Sequence, residues 1–150
     1  MHYCATRSGH GVIIYSKSPI VNIINYVNII EVVAGIVNNV LVLSLYIPPS
    51  TPWFKLKTCL NDLLSHCTRI MNEFSCANII ITGDFNYDLS KCSNNLLDLS
   101  NSYSLIQSVR CPTHINGGIL DLFISNFKNV SLCVEPVYFS DHSLLIASVQ

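Results

Sequence analysis

Three short stretches of this sequence carry residue types that do chemistry. Gly83-Asp84-Phe85-Asn86 places a carboxylate and an amide two positions apart. In an extended segment such a pair points to one side. A carboxylate there orders a hard cation and its water. The amide is suited to hydrogen-bond a phosphate oxygen and a nucleophile. Gly, Asp and Asn also favour turns, so a plain turn stays open as a reading. Ser140-Asp141-His142 sets an acid beside an imidazole. An aspartate near a histidine favours the imidazolium and fixes its orientation, provided the backbone turns both into one cleft. The alternative is a polar loop before the last strand. Asp121 is the lone acid in the apolar run Ile119 to Ser125. A charge in such a run is costly unless it is paired or faces a site.

The elements that must position these residues follow from periodicity. Asn78 opens the β-branched run Ile79-Ile80-Ile81-Thr82, which ends at Gly83-Asp84. Such a run predicts a strand buried on both faces. Open sheets commonly place ligands just past the carboxyl end of such a strand. Thr51-Pro52 predicts the N-cap and first position of a helix. Leu60, Leu63, Leu64, Cys67, Ile70, Met71 and Phe74 then recur at spacings of three and four, which makes one helical face. His66 falls on the polar side. Leu96 to Leu105 predicts a shorter helix. Ile29–Val37 and Val40–Tyr46, joined by Asn38-Asn39, predict a hairpin. Pro48-Pro49 ends its second strand. Gly9-His10-Gly11 predicts a turn into a short buried strand from Val12 to Tyr15, broken by Ser18-Pro19. Further strands are predicted at Ile119–Ser125, Val130–Val134 and Ser143–Val149. Strands with intervening helices predict an α/β or α+β class.

Composition narrows the function classes. The chain has 150 residues, about one domain by length. Half of them are hydrophobic and only 11% are charged, which excludes intrinsic disorder as the main state. A net charge of -1 excludes a strongly basic nucleic-acid clamp. Seven cysteines, at 4, 59, 67, 76, 92, 111 and 133, include no C-x-x-C pair. A zinc ribbon is therefore not expected, and the thiols are read as small buried hydrophobes in a reducing compartment. The apolar stretch Ile29 to Ile47 contains Glu31 and a central Asn-Asn pair, so a hairpin is favoured over a membrane span. The N-terminus carries no apolar signal core, so an intracellular protein, not secreted, is expected, with a nuclear location open.

In order along the chain, Tyr46 with Pro48-Pro49, Gly83-Asp84-Phe85-Asn86, Thr113 with Leu120-Asp121-Leu122 and Ser125-Asn126, and Ser140-Asp141-His142 resemble the endonuclease/exonuclease/phosphatase superfamily. The resemblance is strongest to the apurinic-like endonuclease domain of non-LTR retrotransposons, and it runs from about Gly9 to the C-terminus. It implies two packed β-sheets flanked by helices. It implies cleavage of phosphoester bonds with magnesium or manganese as cofactor. Carried over, Asp84 and Asn86 orient the attacking water and the phosphate. Asp121 orders the cleft and holds a catalytic partner. Asp141 helps bind metal, together with Asp84, and orients His142. His142 acts as base or as donor to the phosphate. Tyr46 lies near the scissile phosphate, and Thr113 and Asn86 contact substrate. The implied partner is a DNA or RNA phosphodiester. A reverse transcriptase, expected in the parent element, is absent from these residues.

The chain also departs from that pattern. The resemblance implies an Asn-bearing strand and a metal-binding Glu before the Gly-rich strand, yet only eight residues precede Gly9 and none is Glu or Asn. Residues 1–150 therefore read as the C-terminal two-thirds of the domain. Glu31 is read as an ordinary surface acid of the hairpin. Ile47 and His114 stand where the retrotransposon pattern prefers Arg. DNA affinity is expected to be weak, since charge neutralisation supplies most nonspecific binding. The leading expectation is a metal-dependent phosphodiesterase domain. The alternatives are a catalytically inactive remnant kept for interaction and a phosphatase of the same superfamily.

Overall fold

The computed structural model describes residues 1–6, 11–91 and 95–150, apart from the side chain of Val27. Gly9, His10 and Cys92 lie outside the described residues. The class is mixed α/β. Ten strands are described: β1 (His2–Ala5), β2 (Ile13–Ser16), β3 (Val21–Val27), β4 (Glu31–Val37), β5 (Val40–Tyr46), β6 (Asn78–Asp84), β7 (Ile106–Gln107), β8 (Asp121–Ser125), β9 (Val130–Glu135) and β10 (Leu144–Val149). Two helices, α1 (Trp53–Glu73) and α2 (Asn95–Ser102), precede and follow β6. The central sheet has six strands in the order β3-β4-β5-β6-β8-β7. β1–β2 and β9–β10 form two separate two-stranded pairs.

The β4–β5 hairpin matches its sequence expectation and its chemistry. Asn38 and Asn39 both take positive φ, 49° and 63°. Two left-handed residues make the turn whose twist fits a two-residue hairpin, and Asn tolerates that conformation. Among the described residues no helix is long and apolar enough to cross a membrane. From β5 the chain crosses over through α1 and returns in β6, parallel to β5 and in register with it.

α1 packs one stripe on the sheet. Leu56, Leu60, Leu64, Cys67 and Ile70 are buried, at spacings of four and three. They meet Val32, Ala34, Leu41, Leu43, Leu45, Ile79, Ile81, Leu122 and Ile124 in one cluster, to which α2 adds Leu96. The opposite face of the sheet is covered only in part. There Cys4 and Ile14 of the first hairpin pack on Val33.

Several expectations need correction. α1 starts one residue late, with Pro52 as N-cap, because the Thr51 hydroxyl donates to the Pro48 carbonyl in the preceding turn. Phe74 lies past the last turn and is exposed. β6 is buried on the helix side only; Ile80 and Thr82 on its other face are half-buried. β2 is a mostly exposed edge with Ile14 alone buried. β1, β3 and β7 were not expected. β3 carries an irregularity between Asn22 and Ile24, which breaks the period-two pattern that would reveal it. Among the six described cysteines, all free, Cys111 and Cys133 are exposed rather than buried. Cys67 is the clearest core thiol, with a pKa pushed by burial up to about 12.

Gly83 fixes the approach of β6 to β5. Its φ is +138°, and an added Cβ would lie 1.9 Å from the Leu45 carbonyl oxygen. Gly117 also has positive φ, +85°, but open space around it. Gly83→Ala should therefore cost more than ~3 kcal/mol in urea unfolding. Gly117→Ala should cost only the left-handed backbone penalty, about 1–2 kcal/mol. Equal losses in the two variants would contradict this account of the β5–β6 contact.

Candidate active site

Strand register builds the site. Glu31 pairs with Tyr46 across β4 and β5. Tyr46 pairs with Asp84 across β5 and β6, and Asp84 with Asp121 across β6 and β8. In-register neighbours share a face, so these four side chains form one polar row at one end of the sheet. Val33 and Val42 lie two positions along from Glu31 and four from Tyr46, so the row is on the face turned away from α1.

The loop after β6 turns sharply. Asn86 has φ 46°, so Asp84 and Asn86 share the site through a turn and not through extended backbone. Asp84 Oδ1 accepts the Asn86 backbone amide at 2.9 Å, and Oδ2 accepts its side-chain amide at 3.0 Å. The same Nδ2 donates to the Ile47 carbonyl at 2.9 Å, which ties the Tyr46-Ile47-Pro48 segment to this loop. Both amide hydrogens of Asn86 are thus committed within the protein, and its Oδ1 is the atom left to a ligand.

His142 arrives from the far side. Its Nδ1 meets Asp121 Oδ2 at 2.7 Å. Burial alone would lower the His142 pKa. The hydrogen bond and charge of Asp121, followed by the charges of Asp84 and Asp141, outweigh burial and raise it. Asp84 is displaced upward too. Burial is the main cause and the Asp121 charge adds to it, against the stabilising bonds from Asn86 and the charge of His142. Asp84, Asp121 and His142 each offer a ligand atom within 4.8 Å of the others. Two half-buried carboxylates in register are hard oxygen donors. That donor set fits a hard divalent cation such as Mg²⁺ or Mn²⁺.

The remaining candidates sit differently from expectation. His142 is oriented by Asp121, whereas Asp141 turns outward, 67% exposed, with its Oδ2 3.4 Å from His114 Nε2. Asp84 and Asp141, expected to share a metal, fall into separate clusters around His142. Thr113, expected to contact substrate, is fully buried. Its hydroxyl oxygen accepts the backbone amides of Leu120 and Asp121, both at 3.0 Å, so it sets the start of β8. Its carbonyl accepts the Ser143 amide at 2.7 Å, which anchors the segment bearing His142. Tyr46 stands beside Asp84 in the row. Asn126 latches β8 to the start of β6 by accepting the Ile79 amide and donating to the Ala77 carbonyl, both at 2.9 Å. Glu31, expected as an ordinary surface acid, is half-buried in the row and accepts the Thr6 hydroxyl at 3.2 Å. It stands two strands from Asp84, roughly 10 Å away by strand spacing.

Sequence reasoning passed over Asp88. Its Oδ1 accepts the Ser90 amide at 3.0 Å, the Ser90 hydroxyl at 2.7 Å and the Ile119 amide at 3.1 Å, and Lys91 lies 3.2 Å from its Oδ2. It joins the loop after Asp84 to the segment entering Asp121. Asp-x-Ser at 88–90 was the available signal, since it is a turn pattern. Burial works to raise its pKa, but the bonds from Ser90, Ile119 and Lys91 prevail and hold it at about 2.

Two outcomes follow from these electrostatics. The unfolded chain binds the Asp88 proton more tightly than the folded one, so its contribution is complete above the unfolded value near ~4 and is lost as pH falls towards 2. Acid unfolding of Asp88→Asn should show less of this pH dependence than the parent, with lower stability at neutral pH. Separately, Asp121→Asn should lower the His142 pKa in an NMR titration of its ring protons. An unchanged His142 titration would remove Asp121 as its main partner.

Comparison with known proteins places this geometry. The family model described as endonuclease-reverse transcriptase matches residues 40–146. No curated protein matches the chain. Among solved structures, the endonuclease domain of TRAS1, a telomere-specific non-LTR retrotransposon, is similar with a TM-score of 0.59 at 16% identity. That match covers 92% of this chain and 70% of that one. The 3′ phosphatase NExo from Neisseria, bound to a product DNA hairpin, is similar with a TM-score of 0.55 at 20% identity, covering 79% of this chain and 64% of that one. The family match takes in β5, β6, β8 and the Asp141-His142 segment, so the chain belongs to the endonuclease-reverse transcriptase family, within the endonuclease/exonuclease/phosphatase superfamily.

Proposed function

We propose that this domain hydrolyses phosphodiester bonds of nucleic acid, nicking DNA with the help of a divalent cation. The observation that carries the reading is the convergence of Asp84, Asp121 and His142 at one end of the sheet, from segments far apart in sequence. Asp84 and Asp121 would hold the cation, Mg²⁺ or Mn²⁺. When bound, such a cation supplies charge stabilisation to the phosphate as negative charge develops on it.

The chain's own residues supply the rest. His142, held through Nδ1 by Asp121 and favoured in its protonated form by the carboxylates around it, would present its other N–H as a charge-assisted donor to a phosphate oxygen. Asp84 and Asn86, joined through the Asn86 side-chain amide, would orient the attacking water, with Asn86 Oδ1 accepting from it. Tyr46 lies on the same face, beside the position a phosphate would occupy. The endonuclease-reverse transcriptase description of the family supports a nucleic-acid substrate, and with it the reading that DNA is cut in concert with a reverse transcriptase. Work on genomic DNA fits a nuclear location.

The test is nicking of supercoiled plasmid by the purified chain. Nicking should appear with Mg²⁺ or Mn²⁺ and stop with EDTA. It should fall roughly 10²–10⁴-fold in His142→Ala and in Asp84→Asn, the range for loss of a positioned acid or base. Nicking that persists in both variants would overturn the reading. A folded chain that never nicks would make it an inactive domain kept for interaction. Release of phosphate from 3′-phosphorylated DNA without nicking would select the phosphatase alternative.

A further inference from the structure

Beside the row of carboxylates lies a second cluster of different chemistry. His114, Asp141 and His142 each offer a ligand atom within 4.8 Å of the others. The rings of His114 and His142 meet edge to face, with centroids 4.9 Å apart. Backbone bonds hold the two segments together: His114 and His142 form a β-bridge, and the Ile115 amide donates to the Asp141 carbonyl at 2.9 Å. His114 Nε2 and Asp141 Oδ2 are 3.4 Å apart. Ligand atoms about 2.05 Å from a tetrahedral metal lie about 3.3–3.4 Å from one another. This pair is already at that spacing.

We infer that His114, Asp141 and His142 form a site for a borderline transition-metal cation, of the class of Zn²⁺ or Co²⁺. Two imidazoles and a carboxylate suit such metals, whereas Mg²⁺ prefers oxygen. His142 donates Nδ1–H to Asp121, which leaves Nε2 for the metal and supplies the carboxylate–histidine–metal arrangement that supports metal-bound histidines. A cavity of about 300 Å³, lined also by Ile115, Pro136 and Ser140, opens onto the three ligands and gives a fourth ligand access. Binding asks one rearrangement. The Asn116 amide donates to His114 Nδ1, so the neutral ring carries its proton on Nε2. A metal on Nε2 shifts that proton to Nδ1 and turns the exposed Asn116 amide to water. Any proton on His142 Nε2 is released to solvent. Occupancy takes His142 Nε2 away from a phosphate, so this cation inhibits the Mg²⁺-supported reaction.

The test is titration of the purified chain with Co²⁺ alone, followed by visible absorption, and with Zn²⁺ alone by calorimetry. One cation per chain should bind, without a thiolate-to-cobalt band, and millimolar Mg²⁺ should not displace it. His114→Ala and Asp141→Asn should each weaken binding by at least about 10-fold while circular dichroism stays native. Unchanged affinity in both variants, a thiolate band, or no binding overturns the site. The inhibition rests on the nuclease reading. Zn²⁺ should stop Mg²⁺-supported nicking by the parent chain and not by His114→Ala; equal inhibition of both overturns the proposed inhibition. A chain that binds Zn²⁺ and nicks under no condition refutes the nuclease reading and leaves the metal site standing.

Discussion

Asp84 and Asp121 face each other in register across β6 and β8, and the surroundings of the site are organised by that pairing. Like charges directly opposite one another in a sheet destabilise it. Here both are half-buried, where water screens them less. Each carboxylate is supplied with its own partners. Asp84 receives two hydrogen bonds from Asn86, which is why the backbone turns left-handed at that residue. Asp121 receives the imidazole of His142. Burial, with the Asp121 charge added, raises the pKa of Asp84, and the carboxylates around His142 raise its pKa against burial, so the end of the sheet favours protons or cations.

Holding this arrangement takes a set of clamps outside the row. Thr113 binds the first amides of β8 with its hydroxyl and the Ser143 amide with its carbonyl, so one buried residue positions both Asp121 and His142. Asp88 joins the loop after Asp84 to the segment before Asp121. Asn126 fixes the opposite end of β8 against β6. A site on strand ends is precise only when its loops are tied down, and these are local polar ties made by short side chains. The hydrophobic core under α1 supports the sheet from the other face.

Much of the frame was legible in the sequence because its signals are local. The Asn38-Asn39 turn, the β-branched run into Gly83 and the three-four spacing of α1 each need only a short window of residues. The order of the motifs from Tyr46 to His142 was enough to point to the superfamily. Elements without a clean period were missed, notably β3 with its irregularity and the two-residue β7. Exposed thiols at Cys111 and Cys133 were also misplaced, since residue type alone does not say which part of the surface is covered.

The sequence by itself determined which residues are chemically capable and in what order they come. Tertiary structure decided which of them meet. Asp121, and not the adjacent Asp141, orients His142, because Thr113 ties the segment carrying His142 to the start of β8. Thr113, read as a candidate substrate contact, is buried and bonded to the first amides of β8. Glu31 joined the polar row through the pairing of β4 with β5. Partnership between side chains is a property of strand register and loop closure. Both are set by packing across the whole sheet, and no window of sequence contains them.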